Sequence, residues 1–321
     1  MTFPAASARR AGTRSTETGA DVSAIPQPLP RYERPTELEQ PHAESAADAI
    51  GPERLDAALA ASTLGEGARA LLRGLLRTGT TRDFPGGGIG IEYGSLLKTA
   101  ARPEYVGAHL REAAAHLREQ RVDLLLVPGM SGYPVGAMYA TAASLPAVLL
   151  KKIRAHEATG ARYPAGAFVI PSYTGEGDVV MHADPPAVQD VIDTILEPQL
   201  AAQADAAAPV LTIRVAGADD IIDKATMSHA VSESALVIGR VAIADFLRRH
   251  REATGDDREF VQQVDVVAWV TPLIKGYNRP QEHLRSTFGI VPFAGLNVTS
   301  VHLHPPAIGI EGLGVVAFPR R

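Results

Sequence analysis

The hydrophobic positions in the first part of the chain recur mostly at spacings of three and four residues. They are Leu55, Leu59, Leu64, Leu71, Leu72, Leu75 and Leu76 in one stretch, and Val106, Leu110, Ala114 and Leu117 in the next. Such spacings place side chains on one face of a helix. The pattern predicts helical structure from about residue 52, interrupted at Gly65 and Gly67, and an amphipathic helix over about 102–119. Between them, a glycine-rich loop is expected at 85–94.

The hydrophobic pattern changes after residue 121. Residues 122–127, VDLLLV, form a nearly continuous apolar run closed by Pro-Gly, which is typical of a strand buried on both faces. The same reasoning predicts buried strands at 147–150 and 209–215, and helices over 133–144 and from about 225. This order implies right-handed crossovers, and therefore an α/β fold with a parallel sheet flanked by helices. Ligands of such sheets bind where strands end, so chemistry is expected after Val127, Leu150 and Val215.

Composition divides the chain into three regions. Residues 1–46 are expected to be a disordered tail, because prolines are spread through small and charged residues without a periodic pattern. Residues 47–255 are predicted to form the α/β domain. Residues 256–321 carry three strand-like runs, VDVVAWV, VTSVHLH and GLGVVAF, and are predicted to form an added C-terminal subdomain that packs on the core.

Composition also excludes several classes of protein. The 321 residues include no cysteine, which excludes disulfides, a thiolate nucleophile and cysteine-bound metals. A net charge of −5 and 5% aromatic residues argue against nucleic acid as a partner. No apolar run is long enough for a membrane span, and the N-terminus lacks a signal-peptide pattern. A cytoplasmic protein without membrane association is expected; the acid-free first fifteen residues leave a transit peptide as an alternative.

The segment 216–229, AGADDIIDKATMSH, has the clearest chemical pattern. Asp219 and Asp220 end a hydrophobic strand, and a short loop leads into a helix that begins near Thr226. Carboxylates suit sugar hydroxyls, directly or through Mg²⁺, and backbone N–H groups at a helix start suit a phosphate. The alternative is structural: two loop aspartates and a threonine that caps the helix. Local pattern leaves both open.

This segment resembles the signature of the type I phosphoribosyltransferases, a hydrophobic strand followed by two acidic residues, two apolar residues and a phosphate loop. The run DDIID followed by Thr226-Met227 is similar to the hypoxanthine–guanine branch. The resemblance implies a Rossmann-like fold in which Asp219 and Asp220 bind the ribose hydroxyls of phosphoribosyl pyrophosphate. It also implies that Asp223 handles a proton near the acceptor ring. The implied 5′-phosphate ligands are Lys224, Ala225, Thr226, Met227 and Ser228, with Lys224-Ala225 where the family usually has Thr-Gly.

Three other stretches resemble the same family. Asp83-Phe84-Pro85, Gly88-Ile89 and Ser95-Leu96-Leu97 follow the order of the adenine branch's opening. The resemblance then implies a pyrophosphate site at Ser131, Gly132, Lys151 and Lys152. It also implies a hood and acceptor site at Phe84, Ser172 and Tyr173. Apart from the resemblance, the lysines could equally lie on a solvated strand end.

The sequence therefore predicts a glycosyltransferase that moves ribose 5-phosphate from phosphoribosyl pyrophosphate to a nucleobase-like or other small acceptor, releasing pyrophosphate. Mg²⁺ is the expected cofactor, held weakly at Asp219 and Asp220 through the ribose diol, and a homodimer is implied by the resemblance. One alternative is a catalytically inactive regulatory protein that binds phosphoribosyl pyrophosphate or a nucleotide. Another is an enzyme for a different phosphorylated sugar. The pairs His302/His304 and His182/Asp184 are weaker metal candidates, for which an exposed strand face is favoured.

Overall fold

The computed structural model describes residues 31–32, 46, 48–84, 88–93, 102–154, 170–171 and 177–319. The helices are α1 (Leu55–Ala61), α2 (Glu66–Thr78), α3 (Pro103–Glu119), α4 (Tyr133–Ala143), α5 (Pro185–Ala201), α6 (Thr226–Thr254) and α7 (Pro280–Phe288). The strands are β1 (Thr80–Phe84), β2 (Gly88–Glu92), β3 (Leu124–Pro128), β4 (Ala147–Arg154), β5 (Ile170–Pro171), β6 (Asp178–His182), β7 (Val210–Ala218), β8 (Ile221–Ile222), β9 (Val261–Lys275), β10 (Phe293–Leu303), β11 (Pro306–Ile310) and β12 (Gly314–Ala317). Within these ranges, no helix is both long enough and apolar enough to cross a membrane.

One large mixed sheet organises the molecule, in the order β12-β11-β10-β9-β7-β3-β4-β6-β5, with β8 beside β9. The central strands β10, β9, β7, β3 and β4 run parallel. The edge strands are antiparallel to their neighbours. The predicted α/β fold with flanking helices is confirmed, and the parallel strands form the centre of a mixed sheet. At one edge the antiparallel pairing follows from chain length, because the short links around β11 allow only antiparallel hairpins.

The alternation of side chains along β3 builds two hydrophobic cores. Leu125 and Val127 face one side of the sheet and belong to a core shared with α2, α3 and α4. Leu124 and Leu126 face the other side and belong to a core shared with α5, α6 and α7. Because successive strand residues point to opposite faces, a strand covered on both faces must be apolar throughout. The prediction of a doubly buried strand here is confirmed.

The three predicted C-terminal strands belong to the main sheet. They are β9, β10 and β12, and β9 lies between β7 and β10, where it is parallel to both. Its Trp269 is fully buried, and the indole Nε1 donates to Ser232 Oγ on α6 at 2.9 Å. A methyl group on Gly217 of β7 would lie 2.2 Å from this indole, so only glycine fits there. The C-terminal residues thus complete the sheet, while the domain limits 47–255 and 256–321 stay predictions.

The strands β1 and β2 form a separate antiparallel hairpin on the side of the sheet covered by α2. Five residue pairs join them, from Thr80↔Glu92 to Phe84↔Gly88. The hydroxyl of Thr81 donates to the carbonyl of His302 on β10 at 2.8 Å, which ties the hairpin to the sheet. The expectation of a loop over 85–94 is therefore wrong for β2, because Ile91 is a buried strand residue. The predicted helices before it are confirmed as α1 and α2.

Two glutamines of α5 close the open edge of β7. Pairing of β7 with β3 begins only at Val215, so the first half of β7 has β9 on one side alone. The Gln199 amide donates to the carbonyl of Thr212 at 2.7 Å and accepts from its N–H at 2.9 Å. Gln203 makes the same two bonds, each 2.8 Å long, to the more exposed Val210. The side-chain amides replace the missing strand neighbour.

We expect Gln199→Ala to lower the free energy of unfolding by about 1–2 kcal/mol, because it leaves two partly buried backbone groups of Thr212 without partners. Gln203→Ala is the matched variant on the same helix, and its loss should stay under about 1 kcal/mol because its partners are exposed. Urea denaturation of both variants checks the order. Equal losses, or none at Gln199, would contradict this account of the β7 edge.

Candidate active site

Four segments meet where the parallel strands end. They are the turn after β3 (residues 129–132), the outer half of β4 with its lysines, residues 219–225 after β7, and residues 276–279 after β9. The carboxyl ends of parallel strands lie at one edge of a sheet, and ligands of open α/β sheets bind there. The sequence placed candidate residues on the first three segments. The fourth lies in a region to which the sequence assigned no role.

Asp219 and Asp220, the acid pair, lie at the end of β7 and are almost inaccessible to solvent, with 9% and 1% exposure. The backbone N–H of Asp220 donates to Asp219 Oδ1 at 2.9 Å. The hydroxyl of Tyr93, the residue that follows β2, donates to Asp220 Oδ2 at 2.7 Å. Each carboxylate therefore has one oxygen held by a protein donor, a backbone group for Asp219 and a distant side chain for Asp220. Sequence reasoning missed Tyr93, since nothing in a local pattern connects it with Asp220.

Burial raises the pKa of Asp219 well above its usual value, and the neighbouring Asp220 raises it further. The positive charge of Lys152 and the N–H donated by Asp220 oppose this shift. Two adjacent carboxylates in a site of low polarity avoid carrying two charges, so they keep a proton to higher pH than an exposed aspartate does. The acid pair thus carries less negative charge than two exposed aspartates would.

The turn after β3 lies directly against the acid pair. A methyl group on Gly132 would lie 2.7 Å from Asp219 Oδ1 and 2.6 Å from the carbonyl of Pro128, so any larger residue would push the acid pair or the turn. The N–H of Gly129 and the hydroxyl of Tyr133 both donate to the carbonyl of Leu150, which fixes the turn to β4. Ser131 is half-buried in this turn. Of the predicted pyrophosphate residues, Gly132 therefore adjoins the acid pair, and Ser131 precedes it in the same turn.

The two predicted lysines differ in their relation to the acid pair. Lys151 and Lys152 are exposed neighbours on β4, paired with His182 and Met181 of β6. Successive strand residues point to opposite faces, so the two ammonium groups diverge. The charge of Lys152 acts on Asp219, and Lys151 is not among the groups that shift the pKa of Asp219. Lys152 is therefore the lysine whose charge the structure brings to the site.

Asp223 is held by two residues that the sequence analysis did not single out. The ammonium group of Lys275, at the end of β9, donates to Asp223 Oδ2 at 2.6 Å. The amide of Asn278 donates to Asp223 Oδ1. The side chains of Asp223 and Lys275 are 22% and 10% exposed, so this ion pair lies near the surface of the site rather than in the core. A hydrophobic run ending in Lys-Gly is a strand end, and that signal could have pointed to Lys275.

The helix-start loop, residues 223–228, leads from β8 into α6. Ala225 has φ +62° and ψ +7°, the left-handed region in which glycine is the usual residue. The first turn of α6 begins at Thr226, and the N-cap residue Ala225 makes no side-chain capping bond. Lys224, Thr226 and Met227 are half-buried, and the buried Ser228 donates its hydroxyl to the carbonyl of Ala225 at 3.2 Å. The N–H groups of such a helix start suit an anion.

A histidine cluster lies immediately behind the helix-start loop. The ring of Tyr32 stacks on His229 of α6 with centroids 3.8 Å apart, and its hydroxyl lies 3.0 Å from Nε2 of His283 on α7. Nδ1 of His229 lies 3.1 Å from the same nitrogen. Burial, and to a lesser degree His283, lowers the pKa of His229 to about 4. His229 is therefore neutral at physiological pH, and the cluster joins α6 to α7.

Several predicted residues have no described side chain or no described position. Phe84 ends β1, but its side chain lies outside the described residues, as do Ser172 and Tyr173 altogether. The imidazole of His302 is buried and lies 3.0 Å from the Ser300 hydroxyl. Across the described ranges, no group of three or more His, Asp or Glu side chains could hold a metal ion. The favoured interpretation of the pairs His302/His304 and His182/Asp184 as exposed strand faces is wrong for His302, which is buried, and for His304 and Asp184, which follow the ends of their strands.

The acid pair alone does not fit Mg²⁺. This ion needs octahedral oxygen ligands and usually keeps several waters, whereas the acid pair is buried and already accepts an O–H and an N–H donor. No third acidic residue joins it within the described part of the chain. The residues present therefore do not form a cation site without oxygens supplied by a ligand.

No protein-family model and no curated protein matches this chain. Solved structures similar to it include adenine phosphoribosyltransferase from Rhodothermus marinus, with 16% identity over 71% of this chain and 98% of that chain and a TM-score of 0.41. The Giardia lamblia enzyme in complex with 9-deazaadenine has 13% identity over 71% and 96%, with a TM-score of 0.42. Orotate phosphoribosyltransferase from Aeropyrum pernix has 12% identity over 71% and 91%, with a TM-score of 0.35.

We expect the Asp219→Asn variant to gain stability over the wild type as the pH rises from acid to neutral. The folded chain holds the Asp219 proton to higher pH than the unfolded chain, because its folded pKa is raised. Stability of the wild type therefore falls as the pH rises above the unfolded pKa of about 3.9, by at most about 1.4 kcal/mol per pH unit. Asparagine has no such proton, so the advantage of the variant should grow as the pH rises from the unfolded pKa of about 3.9 towards neutral.

Urea denaturation across this pH range measures the difference between the two proteins. Asp265→Asn is the control, because Asp265 lies in the first half of β9, away from the carboxyl edge of the sheet. A constant difference between wild type and Asp219→Asn at every pH would contradict the raised pKa of Asp219.

Proposed function

We propose that this protein is a phosphoribosyltransferase-type enzyme that binds phosphoribosyl pyrophosphate at the carboxyl edge of the sheet. The observation that carries the proposal is the convergence on Asp219. The glycine of the turn after β3 abuts its Oδ1, and the charge of Lys152 acts on the same carboxylate. A sugar with a diphosphate substituent requires an acceptor for its diol, a backbone turn that approaches the phosphates closely, and a cation.

Each segment would then have one task. The acid pair accepts hydrogen bonds from the two ribose hydroxyls. The helix-start loop binds the 5′-phosphate through the N–H groups of the first turn of α6. The pyrophosphate is bound by Ser131, Gly132 and Lys152. Lys151 contributes a further positive charge. Mg²⁺ binds together with the ligand, whose oxygens supply the coordination that the acid pair lacks. The homodimer implied by the resemblance is also part of the proposal.

The reaction would be displacement at the anomeric carbon. A ring nitrogen of the acceptor forms a bond to this carbon as the bond to the pyrophosphate oxygen breaks, and the acceptor's proton passes to Asp223. A transition state with cationic character on the sugar needs positioning and electrostatic stabilisation of the leaving group more than covalent help. Lys275 and Asn278 orient Asp223 for this role from the end of β9.

One observation favours the regulatory alternative, a protein that binds the same ligand without turnover. Asp223, the candidate base, is engaged in an ion pair with Lys275. This ion pair weakens Asp223 as a base and leaves binding at the acid pair intact. The two functions differ in one measurable product, pyrophosphate.

Isothermal titration with phosphoribosyl pyrophosphate and magnesium chloride tests binding, and pyrophosphate release with adenine, hypoxanthine, guanine or orotate tests turnover. We expect binding by the wild type, and at least a ~10-fold loss of affinity in Asp219→Ala and Asp220→Ala, because each removes hydrogen bonds to a carboxylate. Asp265→Asn, at the other end of β9, should bind like the wild type.

Each outcome has a definite meaning. Binding with pyrophosphate release supports the enzyme, and binding without release by any acceptor supports the regulatory protein. No binding by the wild type contradicts both and favours a different phosphorylated sugar. Unchanged affinity in the two alanine variants would show that the acid pair is not the sugar site.

A further inference from the structure

Tyr93 links the hairpin to the acid pair, and neither the sequence pattern nor the proposed reaction assigns it a task. It follows β2 directly, is 4% exposed and donates its hydroxyl to Asp220 Oδ2 at 2.7 Å. The two residues are 127 positions apart in the chain. A hydroxyl bonded to a carboxylate is a charge-assisted bond, stronger than one between neutral groups.

The two members of the acid pair are held in different ways. Asp219 accepts from the backbone N–H of its own neighbour, so its orientation follows from the local turn at the end of β7. Asp220 depends on Tyr93, a side chain delivered by a different element. Since Asp220 is only 1% exposed, solvent cannot replace this donor if it is lost. The orientation of Asp220 is therefore a property of the hairpin as much as of β7.

The hairpin is rigid enough to hold a carboxylate in place. Five residue pairs join β1 to β2, and Thr81 bonds to the carbonyl of His302 on β10. Ile91, two residues before Tyr93, is buried in the same core as Tyr93. Groups that orient a site work best when their own positions are fixed by packing and hydrogen bonds.

We infer that Tyr93 is a positioning residue for sugar binding: its hydroxyl holds Asp220 in the orientation that a ribose diol requires. This inference rests on the proposed function. Without the hydroxyl, one buried carboxylate oxygen loses its donor, and the side chain turns towards another donor or takes up a proton. In either state Asp220 is a poorer acceptor for a sugar hydroxyl, so Tyr93 acts through Asp220.

Tyr93→Phe tests the inference, with Tyr139→Phe as the matched control. Tyr139 is also fully buried, belongs to the same core, and has its hydroxyl on another side chain, 2.6 Å from His109 Nε2. We expect Tyr93→Phe to bind phosphoribosyl pyrophosphate with magnesium about 10-fold more weakly, and Tyr139→Phe to stay within about 2-fold of the wild type. Thermal unfolding of both variants separates a loss of affinity from a loss of stability.

A spectroscopic measurement gives a readout that does not depend on a variant lacking the hydroxyl. Fluorotyrosine placed at position 93 keeps the shape and the donor, and its fluorine resonance should shift when the ligand binds the acid pair. Fluorotyrosine at position 139 should show no shift. This arm remains decisive if Tyr93→Phe does not fold.

Equal affinities in Tyr93→Phe and the wild type, equal losses in the two phenylalanine variants, or an unmoved resonance at position 93 would each overturn the inference. In those cases the wild type still binds the ligand, so the proposed function survives. If the wild type itself binds no phosphoribosyl pyrophosphate, the proposed function fails, and the role of Tyr93 fails with it.

Discussion

Two adjacent carboxylates at the end of a central strand, with almost no exposure to solvent, are the constraint around which this site is built. Burial and the neighbouring carboxylate of Asp220 both disfavour ionisation of Asp219. The hydroxyl of Tyr93 donates to Asp220, and the N–H of Asp220 donates to Asp219. This arrangement demands a glycine at position 132 and a hairpin that delivers Tyr93.

The sequence predicted the parts of the fold that depend on local patterns. The doubly apolar run of β3, the amphipathic face of α3 and the start of α6 each follow from spacing within a few residues. The position of β9 could not be predicted in this way, because hydrophobic runs identify a strand but not its neighbours. β9 lies beside β7 since Trp269 fits against Gly217, a match between residues 52 positions apart.

The site residues also divide into those with a local sequence signal and those whose role depends on distant contacts. Asp219, Asp220 and Asp223 were recognisable because acidic residues directly follow a hydrophobic strand, a local signal. Tyr93 and Lys275 were not, because their roles exist only once the hairpin and β9 are packed against that strand end. The left-handed Ala225 lies between these cases. The turn from β8 into α6 requires a residue in the left-handed conformation, which costs an L-residue about 1–2 kcal/mol. Because this position holds alanine and not glycine, the sequence alone did not predict that conformation.

The contacts also separate two tasks that one reaction would combine. The acid pair is oriented by the β7 turn and the hairpin, whereas Asp223 is oriented by Lys275 and Asn278 from the end of β9. β8, which pairs with β9 at Leu273 and Ile274, is the short segment that joins the two clusters. In the proposed reaction, a change at Lys275 or Asn278 would therefore alter proton transfer while the acid pair stays in place. On such a scaffold, a protein that binds the ligand without turnover needs to lose only the cluster around Asp223. It can keep the same fold.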